Sequence, residues 1–191
     1  MEFPIGVGIS ARHLHLCQED MAKLFGPDAI LHIKKSITQP GQFAAEEQVT
    51  LRTEKGATMK LRVIGPLRKK TQIELSLTDA RTVGLAAPVR NSGATADTPG
   101  GVLIGPCGEV KLEQGIIVAA RHLHLCPETA AKRGLKDGDV VSIRTKGGRE
   151  SVFYNVLVRT GEKHADECHI DTDEANASSV SSGDQVIIIT N

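Results

Sequence analysis

With 191 residues, 23 basic and 23 acidic side chains and no net charge, the chain presents no broad field for nucleic acid or an anionic membrane surface. Forty per cent apolar and 24 per cent charged residues describe an ordinary globular protein, with core enough for one large domain or two small ones. Aromatic side chains are scarce (no Trp, one Tyr, four Phe), which argues against base-stacking platforms and aromatic-rich protein interfaces.

Along the chain, Met1 to Val7 reads as a first strand, and Ala11 to Cys17 spells Ala-Arg-His-Leu-His-Leu-Cys. A short helix is predicted over Gln18 to Phe25, and an irregular insertion over Pro27 to Ala45. Val49 to Thr53, Met59 to Ile64 and Gln72 to Leu77 are short, rich in β-branched residues and separated by turns, as strands are. Asn91-Ser92-Gly93 and Thr98-Pro99-Gly100-Gly101 are turns. Ala120 to Cys126 then repeats the first motif letter for letter. A helix over Pro127 to Arg133 follows, with proline suited to its first turn. Val140 to Arg144, Val152 to Val158 and Gln185 to Ile189 read as further strands. Many short strands with few helices predict a mainly β fold of two small barrels rather than a doubly wound sheet.

The repeat makes the chain a duplication. The two motifs lie 109 residues apart; Val49-Thr50-Leu51-Arg52-Thr53 answers Val141-Ser142-Ile143-Arg144-Thr145 at 92, and Leu61-Arg62-Val63 answers Val156-Leu157-Val158 at 95. The last spacing sets Glu74 against His169. Each half therefore supplies a His-x-His pair and one further candidate ligand.

On a strand, residues two apart share a face, so His13 and His15, like His122 and His124, point one way while Leu14 or Leu123 enters the core. On a helix the same two rings would diverge by about 200°. Neutral imidazole suits Zn²⁺. The alternative, satisfied core histidines, has to account for four desolvated imidazoles without acidic partners. The spacing yields two three-ligand sites, His13/His15/Glu74 and His122/His124/His169. Three protein ligands with an open position are typical of catalytic zinc, and structural zinc is usually closed with four. In Gln72 to Leu77, Glu74 is expected to share a face with Ser76. His32 and His164 lack repeat counterparts and are expected at the surface. Cys17, Cys107, Cys126 and Cys168 form no Cys-x-x-Cys pair and are expected to be buried or half-buried thiols. Arg68-Lys69-Lys70 is the compact basic cluster near these strands: a solvated turn, or an anion site in which Arg68 grips phosphate bidentately. Neither a Walker-type glycine loop nor a dinucleotide fingerprint is present.

Taken in order, Ile9 to Leu16, Gln39 to Glu46, Gly65 to Arg68, Thr78 to Arg81, Val118 to Leu125 and His169 to Asn176 give the chain its familiar look. It resembles the PduL-type phosphate acyltransferases, or phosphate propanoyltransferases, over nearly its whole length. The resemblance implies two β-barrels capped by short helices, the amino-terminal strand joining the barrel of the carboxy-terminal half. Residues 1–20 and 119–191 would form the first barrel, and 21–118 the second, with an inserted segment near 27–45. It also implies reversible transfer of a short acyl group, propanoyl or acetyl, between coenzyme A and phosphate on two zinc ions. By position, His13, His15 and Glu74 match the zinc site that meets the coenzyme A sulfur; His122, His124 and His169 match the second, water-bearing one. Arg68 matches the phosphate-binding arginine, and Ser10, Ala11, Arg12 and Asn176 fall where coenzyme A contacts are expected. The transfer is expected to be direct, with no covalent nucleophile.

Two other classes use the same residues: a zinc-dependent thioester or phosphoester hydrolase, and a non-catalytic protein clipped by structural metal. No apolar run reaches the ~18 residues of a membrane span. The expected setting is the cytoplasm. Relatives packaged in bacterial microcompartments for propanediol utilization carry an amphipathic extension before the first histidine motif, whereas 12 residues precede His13 here; microcompartment association is the alternative. A homodimer is expected on general grounds alone.

Overall fold

Glycine and proline turns cut the chain into short extended runs whose apolar residues alternate with polar ones, and the computed structural model, which describes residues 1–190, pairs these runs into two sheets. In chain order the first elements are β1 (Glu2–Ser10), β2 (His13–His15), α1 (Gln18–Phe25), β3 (Ile33–Ser36), β4 (Phe43–Arg52), β5 (Thr58–Gly65), β6 (Gln72–Leu75) and α2 (Leu77–Thr82). β7 (Val89–Arg90), β8 (Gly101–Ile104), β9 (Glu109–Leu112) and β10 (Ile116–Ala119) lead to β11 (His122–Leu125) and α3 (Pro127–Arg133). β12 (Val140–Arg144), β13 (Val152–Thr160), β14 (Glu167–Asp171), α4 (Thr172–Ser178) and β15 (Gln185–Ile189) complete the fold. It is mainly β, 42% strand and 15% helix.

One unit comprises Met1–Ala11, Thr38–Pro40 and the chain from Ala120 onward. Its six strands close a barrel in the order β1-β14-β11-β13-β12-β15. β1 closes it, parallel to β14 through Gly8 opposite His169 and antiparallel to β15 through Ile5 opposite Val186. Leu123, Leu125, Ile143, Val156, Val158, Val186 and Ile188 are fully buried inside it. Each such side chain contributes roughly 1.5–3 kcal/mol relative to exposure.

The other unit comprises Arg12–Ile37 and Gly41–Ala119, around a core that includes Leu14, Leu16, Met21, Leu24, Leu51, Val63, Ile73, Leu103 and Ile116. Its strands follow the order β7-β10-β6-β2-β5-β4-β8-β9, with β3 on β4. Residues Arg12 to Asp20, expected with the first barrel, belong here, because His13–His15 hydrogen-bonds to β5 and β6. Only the first unit is a fully hydrogen-bonded barrel; the second is a curled half-barrel sheet.

Strand registers repeat at the spacings read from the sequence. His13 faces Glu74 on one side and Arg62 on the other; His122 faces His169 and Leu157. Val49 opposite Leu61 recurs as Val141 opposite Val156. Gly8 opposite His169 recurs as Ile117 opposite Glu74. β1 thus corresponds to β10, and the stretch that pairs with β15 corresponds to β9, which pairs with β8. The one long strand is divided at residues 113–115 in the second unit, and that break leaves its sheet unclosed.

Gly100 packs against this break. A Cβ there would overlap the Leu112 carbonyl oxygen and come within 2.7 Å of the Glu113 carbonyl carbon, both backbone. Gly100→Ala is therefore expected to destabilise the protein by about 1–3 kcal/mol, the usual cost of overpacking. Urea denaturation with an unchanged midpoint would disprove it.

Helices α1 and α3 occupy the predicted spans. The strand expected over Gln72 to Leu77 stops at Leu75, because Ser76 caps α2 by accepting from the Asp79 amide at 3.1 Å. α4 begins in the same way, with a capping box between Asp171 and Glu174. Among the described residues no helix is long and apolar enough to cross a membrane.

Candidate metal centres

β2 lies between β5 and β6, so its alternation is fixed: Leu14 is fully buried, and His13 and His15 stand on the other face with ring centroids 5.0 Å apart. The antiparallel register brings Glu74 to them. Its Oε2 lies 3.6 Å from His13 Nε2, and its Oε1 lies 3.9 Å from His15 Nε2. One ligand atom from each of the three residues lies within 4.8 Å of the others. His15 Nδ1 is 3.0 Å from the Ile64 carbonyl oxygen, which can only accept, so the proton sits on Nδ1 and the Nε2 lone pair is available to a metal. Burial, helped by His13 and Arg68, lowers the His15 pKa to about 3 and keeps the ring neutral. Burial acts against the Glu74 carboxylate, but His13, His15, the Ser92 hydrogen bond and Arg68 outweigh it and hold its pKa at about 2.

A polar chain surrounds Glu74. Gln72 Nε2 donates to Oε1 at 2.6 Å and Ser92 Oγ donates to the same oxygen at 2.8 Å. Arg68 Nη1 donates to Ser92 Oγ at 3.1 Å, and the Gly93 amide holds Gln72 Oε1 at 2.7 Å. Gln72 is therefore the neighbour that bonds Glu74, while the Ser76 hydroxyl is taken up by the Asp79 amide. Ser92, in the turn that follows β7, connects the exposed Arg68 side chain to a buried carboxylate. Lys69 and Lys70 are exposed beside it.

In the first unit, β11 places His122 and His124 on one face, and β14 brings His169 opposite His122. Ring centroids are 4.7 to 5.0 Å apart, and one nitrogen from each ring lies within 4.8 Å of the others. His122 Nδ1 is 2.9 Å from the Ala120 carbonyl oxygen. His124 Nδ1 is buried without a hydrogen-bond partner in the protein. Burial, with His122 and His169 nearby, lowers the His124 pKa to about 2. A desolvated imidazole with an orphaned nitrogen, His124, is costly by itself, and set beside two further imidazoles it fits a zinc ion.

Two neighbours of this trio carried no signal as isolated residues. Glu167 Oε2 lies 2.6 Å from His169 Nε2, and its position two residues earlier on the same strand could have revealed it. His164, expected at the surface, is half-buried with its ring centroid 4.3 Å from that of His124 and Nδ1 3.1 Å from the Arg159 carbonyl oxygen. The turn that begins at Gly161 folds it back, through the His164 amide on the Gly161 carbonyl oxygen. His32 is exposed and pairs with Glu47 at 2.7 Å.

Ser10 ends β1 opposite Asp171, Ala11 and Asn176 are exposed in the same unit, and Arg12, in the other, pairs with Asp79 at 2.8 Å. Cys168 is buried, which pushes its thiol pKa up, and Cys17 and Cys126 are half-buried; Cys107 is exposed, contrary to expectation, after a turn at Pro106.

A family model described as phosphate propanoyltransferase matches residues 6–181. A phosphate propanoyltransferase of Rhodopseudomonas palustris is 51% identical over 186 residues, covering 97% of this chain and 82% of the relative. One from Rhodobacter capsulatus is 50% identical, with coverage of 91% and 80%. One from Thermotoga maritima is 48% identical, with coverage of 96% and 88%.

Proposed function

The chain belongs to the phosphate propanoyltransferase family, an acyltransferase family, and from that premise we propose that it moves a propanoyl or acetyl group reversibly between coenzyme A and phosphate with two zinc ions bound. His13, His15 and Glu74 would hold one ion, and His122, His124 and His169 the other. The observation that carries this reading is the recurrence of a three-ligand cluster at the same strand register in both halves, once with a carboxylate and once with imidazole alone. When bound, zinc polarises a thioester carbonyl and stabilises a thiolate.

The chain's own residues supply binding and orientation. Arg68 receives phosphate, and Ser92 on its Nη1 sets the direction of the guanidinium. A phosphate oxygen forms the new C–O bond to the acyl carbon, the C–S bond breaks, and coenzyme A leaves as thiolate. His15 and His124 stay neutral and Glu74 ionised near pH 7, so these three need shed no proton to bind metal. Ser10, Ala11, Arg12 and Asn176 are assigned to coenzyme A. Propanoyl and acetyl differ by one methylene, about 1–3 kcal/mol in a pocket.

Thiol release from propanoyl-CoA and acetyl-CoA, with and without phosphate or arsenate, tests the activity. Release must depend on the oxyanion; equal release without it would make the protein a hydrolase. Elemental analysis of protein purified without added metal should find about two divalent ions per chain, and a strong chelator should remove them together with activity. Active protein with almost no metal would overturn the zinc reading and leave the transferase reading standing.

A further inference from the structure

Both third ligands have a partner at the same place, two residues earlier and on the same face. Gln72 lies opposite His15 in the β6–β2 register, and Glu167 lies opposite His124 in the β14–β11 register. The two positions correspond in the duplication, yet the residues differ in polarity, as do the ligands they serve. Where the ligand is the Glu74 carboxylate, the partner is an amide that donates to its Oε1 at 2.6 Å. Where the ligand is the His169 imidazole, the partner is a carboxylate that accepts from its Nε2 at 2.6 Å.

We propose that Glu167 and Gln72 are the positioning residues of the two metal centres, each matched in polarity to the ligand two residues after it. This rests on the metal reading of both clusters. A carboxylate on Nε2 keeps the proton there, leaves the lone pair on Nδ1 and makes the ring more basic toward a cation. A donor on Oε1 fixes the carboxylate rotamer and leaves Oε2 open toward a cation.

Glu167 is itself held in place. It is half-buried, and Thr38 and Gln39 hydrogen-bond its carboxylate, Gln39 Nε2 at 3.5 Å from Oε2. Gln39 is 2% exposed, and its amide exchanges bonds of 3.1 and 3.3 Å with the backbone of Ala165. These contacts tie Thr38–Pro40 into the first unit and give the Gln39-Pro40-Gly41 turn of the insertion a purpose. On the other side, Gly8 leaves room: a Cβ there would lie 3.0 Å from the Glu167 carboxyl carbon and 3.1 Å from His169 Cδ2.

Zinc affinity of the full chain, measured by competition with a chromophoric chelator, tests this without reference to turnover. Wild type should show two binding steps. Glu167→Gln should weaken one of them about 10–100-fold, the range for lost outer partners of metal ligands. It should be the same step that His169→Ala weakens, with the other unchanged. The decisive variant exchanges the pair: Glu167→Gln with His169→Glu reproduces the Gln-x-Glu of β6. It should bind the second ion more tightly than His169→Glu alone, in which two carboxylates face each other. Should Glu167→Gln fold poorly by circular dichroism, Gly8→Ala, which presses on the same pair without changing charge, should weaken the same step. Unaltered binding in Glu167→Gln, or in Gly8→Ala where that variant decides, overturns the proposal, as does a double variant no tighter than the single. A wild type with no second step would overturn the metal reading of the His122 cluster, and this inference with it.

Discussion

Glu74→Ala should weaken one zinc ion at least ~100-fold, beyond the range for lost outer partners, and with it the binding of coenzyme A. Glu74 is the one anionic ligand in either cluster, so its loss removes both a coordinating oxygen and the charge that balances the ion. It also removes the acceptor of two hydrogen bonds, from Gln72 Nε2 and from Ser92 Oγ, and leaves Gln72 Nε2 bonded to Ser92 Oγ alone. Glu74→Gln separates the two effects, because it keeps the volume and loses the charge. It should restore most of the stability and little of the metal affinity. His169→Ala should weaken the other ion and leave coenzyme A affinity closer to wild type. Calorimetric titration with coenzyme A on both variants is the check. Equal thiol-binding defects would mean that the roles of the two centres are assigned wrongly.

The two side-chain clusters were legible because a duplication turns two weak signals into one strong one. A single His-x-His motif is a weak sign of a metal clamp. Two copies with a common layout place Glu74 on His169 by spacing, and the registers of β2–β6 and β11–β14 repeat at that same spacing. Strand pairing preserves sequence offsets, so an offset read in one dimension survives folding. The misses arose where local chemistry overrides periodicity. Ser76 ends a run that alternates well through Leu77, because a hydroxyl that accepts from an amide three residues on starts a helix. The division of β9 from β10 and the return of His164 to His124 depend on turns and burial that no local pattern encodes. Ser92 and Glu167 were missed for a related reason. Their importance lies in what they touch, and serine in a turn or glutamate on a strand is ordinary until its neighbour is known.

Arg68→Ala should lower phosphate-dependent turnover at least ~100-fold, about 2.7 kcal/mol of barrier, while zinc content and coenzyme A affinity stay near wild type. Phosphate is a small dianion that has to be held in line with the acyl carbon before it attacks. A guanidinium can grip two of its oxygens through parallel N–H bonds, and lysine offers a point charge without that fork. Bonds of this kind contribute roughly 1.5–3 kcal/mol each, and lost alignment adds to the cost. The backbone prepares the grip: the Arg68 amide donates to the Leu16 carbonyl oxygen at 2.8 Å, one residue beyond His15, while Nη1 rests on Ser92. Zinc should survive the loss of the side chain because Glu74 keeps its bonds from Gln72 and Ser92. Arg68→Lys should recover only part of the rate, since charge returns and orientation does not. Ser92→Ala should raise the KM for phosphate more than it lowers kcat, because it frees the guanidinium without removing it. An Arg68→Ala enzyme that keeps full activity at low phosphate would rule this arginine out, and Lys69 or Lys70 would take its place as the anion site.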